Sequence, residues 1–179
     1  MDDTRAEATG LIGRAWALLG GPRAPRLAVL LAIVLTLPSL GNGMFIDDYF
    51  HRARAQGLDL IPRSRLDLFN FCTGKENLRI LMELGILPWF ASPDLKLAFF
   101  RPLTALLHYV DYTVWPTHPA LMHAQSIAWY AVVVALVARL CRRLMPPRAA
   151  GLAAVLYAVA ATHAIPVGWL ANRNALRPR

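Results

Sequence analysis

The sequence predicts an all-α membrane protein, with about three transmembrane helices plus amphipathic interfacial helices in a long first outer loop. Three observations carry this expectation. Hydrophobic residues make up 56% of the 179-residue chain and charged residues only 17%, where soluble domains carry about a quarter charged. Three stretches, 27–46, 112–138 and 149–172, contain no Asp, Glu, Lys or Arg, and each covers the roughly 20 residues that cross a hydrocarbon core. The basic residues flank these stretches instead of forming a patch, as the sorting of membrane proteins requires.

Residues 1–26 read as a cytoplasmic amphipathic segment. Thr4 with Glu7 makes a capping-box pattern. Leu11, Ile12, Ala15, Leu18 and Leu19 share one face, and Gly20-Gly21-Pro22 ends the helix. Such a helix suits the inner membrane surface; a frayed tail is the alternative. Transmembrane helix 1 is expected at 27–46. Arg23 and Arg26 followed by Ser39 and Gly41 also fit a signal peptide, but the long preceding segment and the apolar run on to Ile46 favour an uncleaved helix.

The outer loop, 47–118, is expected to hold interfacial helices. Thr73 with Glu76 is a second capping-box pattern ahead of Leu78, Leu81, Met82 and Leu84, and Arg79 with Glu83 is an i,i+4 pair. Pro102 can open another helix. There Leu103, Leu106, Leu107, Val110 and Val114 make one stripe, and His108, Asp111, Tyr112 and Trp115 the other. The expectation is a helix in the outer interface with its aromatics at headgroup level. Transmembrane helix 2 follows at 119–140, a cytoplasmic loop at 141–148, transmembrane helix 3 at 149–171 and an outer tail at 172–179. Arg5, Arg14, Arg23 and Arg26 precede the first span, and Arg139, Arg142, Arg143 and Arg148 crowd the turn between the last two. Both segments are therefore expected in the cytoplasm, and the C-terminus outside.

Several function classes are excluded. The net charge of +8 comes mostly from scattered arginines, without the basic run and interleaved aromatics of a nucleic-acid surface. Cys72 and Cys141 are isolated thiols in no metal-ligand spacing. There is no Gly-rich phosphate loop, His-rich metal spacing or Ser or Cys nucleophile motif. The spans lack the intramembrane charges of an ion or solute transporter.

The candidates for chemistry sit at the outer ends of the spans. Asp47 and Asp48 directly follow the first span. Two carboxylates at a membrane boundary either face water as a solvated helix end or do chemistry. One can accept a proton from a hydroxyl while the other orients it or holds a divalent cation. Arg101 has the forked geometry that suits a phosphate headgroup; an interfacial anchor is the alternative. His123 and His163 lie in or near spans two and three, where a lone His is more often a helix–helix hydrogen-bond donor. Arg173, between Asn172 and Asn174, is a basic residue on the expected outer side, against the usual bias. A chain-end accident explains it equally well.

Together these stretches resemble membrane glycosyltransferases of the GT-C fold, and among them bacterial relatives of protein O-mannosyltransferases. The resemblance is carried by Ile46-Asp47-Asp48-Tyr49, by Phe100-Arg101-Pro102-Leu103-Thr104 with Asp111-Tyr112 and Trp115, by the region of His123, and by Gly168-Trp169-Leu170-Ala171-Asn172-Arg173-Asn174. It implies transfer of a sugar from a polyprenyl-phosphate donor to an acceptor hydroxyl outside the cytoplasm, in a bacterial cytoplasmic (inner) membrane. Asp47 would be the base and Asp48 its support. Arg101, His163 and Arg173 would bind substrate, and membrane lipid would be the other partner. A divalent cation near Asp47 and Asp48 is a candidate cofactor. Two departures stand out. Ala160-Ala161 occupy the place where relatives often carry His-Pro, leaving His163. Such enzymes also have many more spans, so the chain reads as a truncated N-terminal part, expected to be inactive alone. The alternative is a small non-catalytic membrane protein with a binding or scaffolding role.

Overall fold

The computed structural model describes residues 2–58, 61 and 64–176. The chain is mainly helical and divides into two units, Met1–Gly43 with Ala120–Arg179, and Met44–Pro119. The side chains of Thr4, Glu7 and Leu11, and residues 177–179 of the expected tail, lie outside the described residues.

The first unit is built on small residues. Helix α1 (Asp2–Gly20) precedes α2 (Ala24–Thr36), which continues as a 3-10 helix, Leu37–Gly41. Together α2 and its extension span about 30 Å, the thickness of a hydrocarbon core. The tightening follows from Pro38, which has no N–H to continue the ladder. Thr36 Oγ1 donates to Ala32 O at 2.7 Å and Ser39 Oγ to Thr36 O at 2.7 Å. Helix α6 (Pro119–Leu144) runs four residues beyond the expected second span before the Pro146-Pro147 corner stops it. Beyond that corner lies α7 (Pro147–Val159), then a 3-10 turn, Ala161–His163, and the short α8 (Ala164–Gly168). The expected third span is therefore a bent pair, with a 45° change of axis. Ala160 is extended there (ψ 121°), and Pro166 removes another ladder bond.

Among the described residues, two helices are long and apolar enough to cross a membrane, or three if the bent pair is one span. Ala24, Ala28 and Ala32 of α2 and Ala150, Ala154 and Ala158 of α7 are buried at spacings of four. Tyr130, Val134 and Ala138 of α6 join the same core. Small stripes let helix backbones approach closely. The closest approach is at Gly151, where an added Cβ would lie 1.9 Å from the backbone oxygen of Leu19, so α1 can cross α7 only over a glycine. Outward-facing residues of these helices include Leu30, Val34, Leu136 and Leu156. Outward residues on α1 include Ile12, Trp16 and Leu18.

The second unit holds α3 (Ile46–Ala55), β1 (Asn70–Cys72), α4 (Lys75–Glu83), β2 (Leu97–Ala98) and α5 (Pro102–Val114). The antiparallel β1–β2 ribbon pairs Asn70 with Ala98 and Cys72 with Leu97. The sequence pattern shows no sign of it, because strands this short carry no period. The expected Thr73–Glu76 capping box does not form: Gly74 caps α4 at φ +84°, a conformation that favours glycine. Glu76 bonds Arg79 at 3.2 Å instead, and Arg79 reaches Glu83 at 3.4 Å.

Helix α5 starts at Pro102 as its spacing predicts, with the two expected stripes on opposite faces. Leu103 is 69% exposed and Val114 60%, while His108, Asp111 and Tyr112 are each 1% exposed. The stripe expected at headgroup level faces the protein interior, and the apolar stripe faces out.

Candidate functional site

The site grows from the first turn of α3. Phe45 is the N-cap in extended conformation, making Asp47 and Asp48 the second and third helical residues. The third residue of a helix faces back toward the cap. Accordingly, Asp48 Oδ2 accepts the Phe45 backbone N–H at 2.8 Å, and Asp48 is fully buried. Phe45 has no side-chain acceptor to return the bond, so only half of a capping box forms. Asp47 is half-buried and has no hydrogen-bond or ion-pair partner among the described residues. Its carboxylate borders a cavity of about 310 Å³ lined by Phe50, Phe71, Cys72, Leu81, Leu97 and other apolar side chains.

One turn further along α3, His51 and Arg54 are also buried. The Arg54 Nη1 lies within bonding distance of three carbonyl oxygens, those of Asp67 (3.0 Å), Leu68 (3.3 Å) and Asn70 (2.8 Å). These donations satisfy part of a buried guanidinium and fasten the loop before β1 to α3. The imidazole of His51 lies edge-on to Phe69, 4.8 Å between centroids, and 5.6 Å from His108 of α5. Among the described residues, neither of its ring nitrogens has a hydrogen-bond partner. Burial, followed by the nearby charges of Arg54 and Arg101, lowers its pKa to about 4, so His51 is neutral at pH 7.

Arg101 caps the N-terminus of α5. Its guanidinium lies over two rings, 5.1 Å from the centroid of Phe69 and 4.8 Å from that of Phe99. Both distances fall within cation–π range. It also borders a second cavity of about 260 Å³, with Ser64, Asp67 and Phe100 in its wall.

The remaining candidates belong to the other unit. Arg173 is buried in a 3-10 helix, Leu170–Leu176. It donates from Nε to Ser126 Oγ at 2.8 Å, from Nη2 to Met122 O at 2.7 Å, and from Nη1 to Gln125 Oε1. These three donations go to one turn of α6, which makes Arg173 a clamp between that helix and the chain end. His123 sits with its ring nitrogens 3.3 Å from Val167 O and 3.3 Å from Gly43 O. His163 packs against Tyr157 and Tyr130, with centroids 4.5 and 5.0 Å away.

Within the second unit, Asp47, Asp48 and Arg101 thus share an environment that includes two residues sequence reasoning missed, His51 and Arg54. The spacing of three from Asp48 to His51 is the one signal that could have placed His51 on the buried face. No sequence signal marks Arg54, which donates to three backbone carbonyls far from it in the chain. Among the described residues, no group of three or more His, Cys, Asp and Glu gathers to hold a metal ion, and Asp47 and Asp48 make a pair only. Comparison with protein-family models, curated proteins and solved structures yields no match.

Proposed function

We propose that this chain is part of an integral membrane glycosyltransferase of the GT-C type, with Asp47 as the base. The enzyme would take a sugar from a polyprenyl-phosphate donor in a bacterial inner membrane. The observation that carries the reading is the division of labour between two adjacent carboxylates. Asp48 is committed to the start of α3, so it sets where Asp47 stands. Asp47 keeps its oxygens available beside a cavity. The embedding is supported by the first unit, where alanines are buried and leucines face out, the reverse of a helix bundle in water.

In this mechanism the acceptor hydroxyl donates its hydrogen bond to Asp47. As its oxygen forms a bond to the anomeric carbon, the proton passes to the carboxylate. The bond from that carbon to the phosphate oxygen breaks, and polyprenyl phosphate leaves with the electron pair, inverting the anomeric centre. Arg101 is the candidate contact for the phosphate charge, since its guanidinium, held over two rings, also lines a cavity. Arg173, His123 and His163 hold helices together in this scheme.

The test is transfer of radiolabelled sugar from a polyprenyl phosphate by membranes containing the chain extended with further spans. Asp47→Asn should lower transfer by at least about a hundredfold while leaving membrane insertion intact. Activity retained by that variant would reject the assignment.

A further inference from the structure

The base assignment leaves open what molecule offers the hydroxyl. We propose that the cavity beside Asp47 is the acceptor pocket, and that it takes a hydroxyl-bearing apolar molecule about the size of two fused aromatic rings. That it is an acceptor rests on the reading above; that the molecule binds rests on the cavity alone.

The walls come from four elements: Phe50 on α3, Cys72 on β1, Leu81 on α4 and Leu97 on β2, with Ile86 and Phe99 at the half-exposed rim. Among the described residues, two charged side chains line the cavity, Asp47 and Arg54. Arg54 Nη1 already serves three backbone carbonyls. Asp47 has no partner among the described residues, so it is the group able to orient a guest. Its carboxylate only accepts, and the guest must therefore donate.

The apolar body follows from the walls. A sugar or a stretch of peptide backbone would place several polar groups against them, each costing about 1–3 kcal/mol when left unpaired. The size follows from the volume. A cavity of about 150 Å³ holds benzene, and this one, at about 310 Å³, has room for roughly twice that. It falls at the small end of ligand pockets, where apolar walls with a few polar groups are the rule.

The experiment uses the 179-residue chain in lipid nanodiscs with no sugar donor. The probes are 1-naphthol and naphthalene, read by fluorescence against empty nanodiscs. Saturable binding of 1-naphthol is expected. Filling the cavity with Leu81→Trp should weaken both probes at least about tenfold. Should that variant lose its helical circular dichroism, Ile86→Trp at the exposed rim makes the same test. Asp47→Ala should weaken 1-naphthol about tenfold and leave naphthalene unchanged. Equal 1-naphthol binding by the filled and unfilled proteins would overturn the proposal, as would an Asp47→Ala variant that weakens both probes alike. Because no donor is present, failure here leaves the base assignment standing. Transfer retained by Asp47→Asn sinks the base assignment without touching the pocket.

Discussion

At the scale of single residues, buried polar groups separate into those that hold the fold and those available for chemistry. Asp48, Arg54 and Arg173 are buried and bonded to backbone or side-chain atoms nearby. His51 is buried with unsatisfied nitrogens, and its pKa is lowered to about 4. In the unfolded chain it would titrate near 6.5. The unfolded state therefore binds more protons between those values. Stability from neutral His51 is present in full above about pH 6.5 and is lost as pH falls toward 4, by about 3 kcal/mol at most. Chemical denaturation in detergent should show this slope, and His51→Phe, which keeps the ring contacts to Phe69 and Phe71, should flatten it. An unchanged slope in the variant would mean that the acid sensitivity lies elsewhere.

At the scale of elements, the burial of the polar stripe of α5 is the most informative departure from the sequence expectation. Periodicity divided the helix correctly into an apolar and a polar stripe, and Pro102 marked its start. Periodicity cannot say which stripe faces the protein. The usual assignment, apolar side inward, holds when water is the solvent on the other side. Here the polar stripe meets His51 and Phe69, where His108 stacks with both, and the apolar stripe is left outward. Leu106→Gln should therefore change folding stability by less than about 0.5 kcal/mol. Tyr112→Ala, on the inward face, should cost about 3 kcal/mol or more. Denaturation of the two variants in detergent decides it; the opposite order would restore the conventional orientation.

At the scale of the whole molecule, the two units differ in how much of their organisation was legible. In the first unit, charge-free runs and flanking arginines located α2, α6 and α7 without any knowledge of packing. They also yield the expected topology, which cysteine labelling can test. With Cys72 and Cys141 replaced by Ser, a cysteine at Tyr49 should react with an impermeant reagent from outside the cell. One at Met145, in the corner between α6 and α7, should react only from the cytoplasm. Labelling of the Tyr49 position from inside would remove the membrane reading altogether. In the second unit, α4 and α5 were legible from their stripes and from Pro102, but α3, the ribbon, the Gly74 cap and the Arg54 fastening were not.

The sequence by itself determined the long apolar helices, most of their ends and the pair of adjacent carboxylates beyond the first of them; that this helix ends at Gly41 and the carboxylates open a separate helix came from the structure. Those properties depend on local runs, capping residues and the absence of charge, all of which are written along the chain. Only the tertiary structure decided that Asp48 is a cap while Asp47 borders a cavity, that α5 turns its polar face inward, and that Arg173 clamps α6. Each of those depends on which atoms of distant residues come within bonding distance, and one-dimensional spacing does not carry that information.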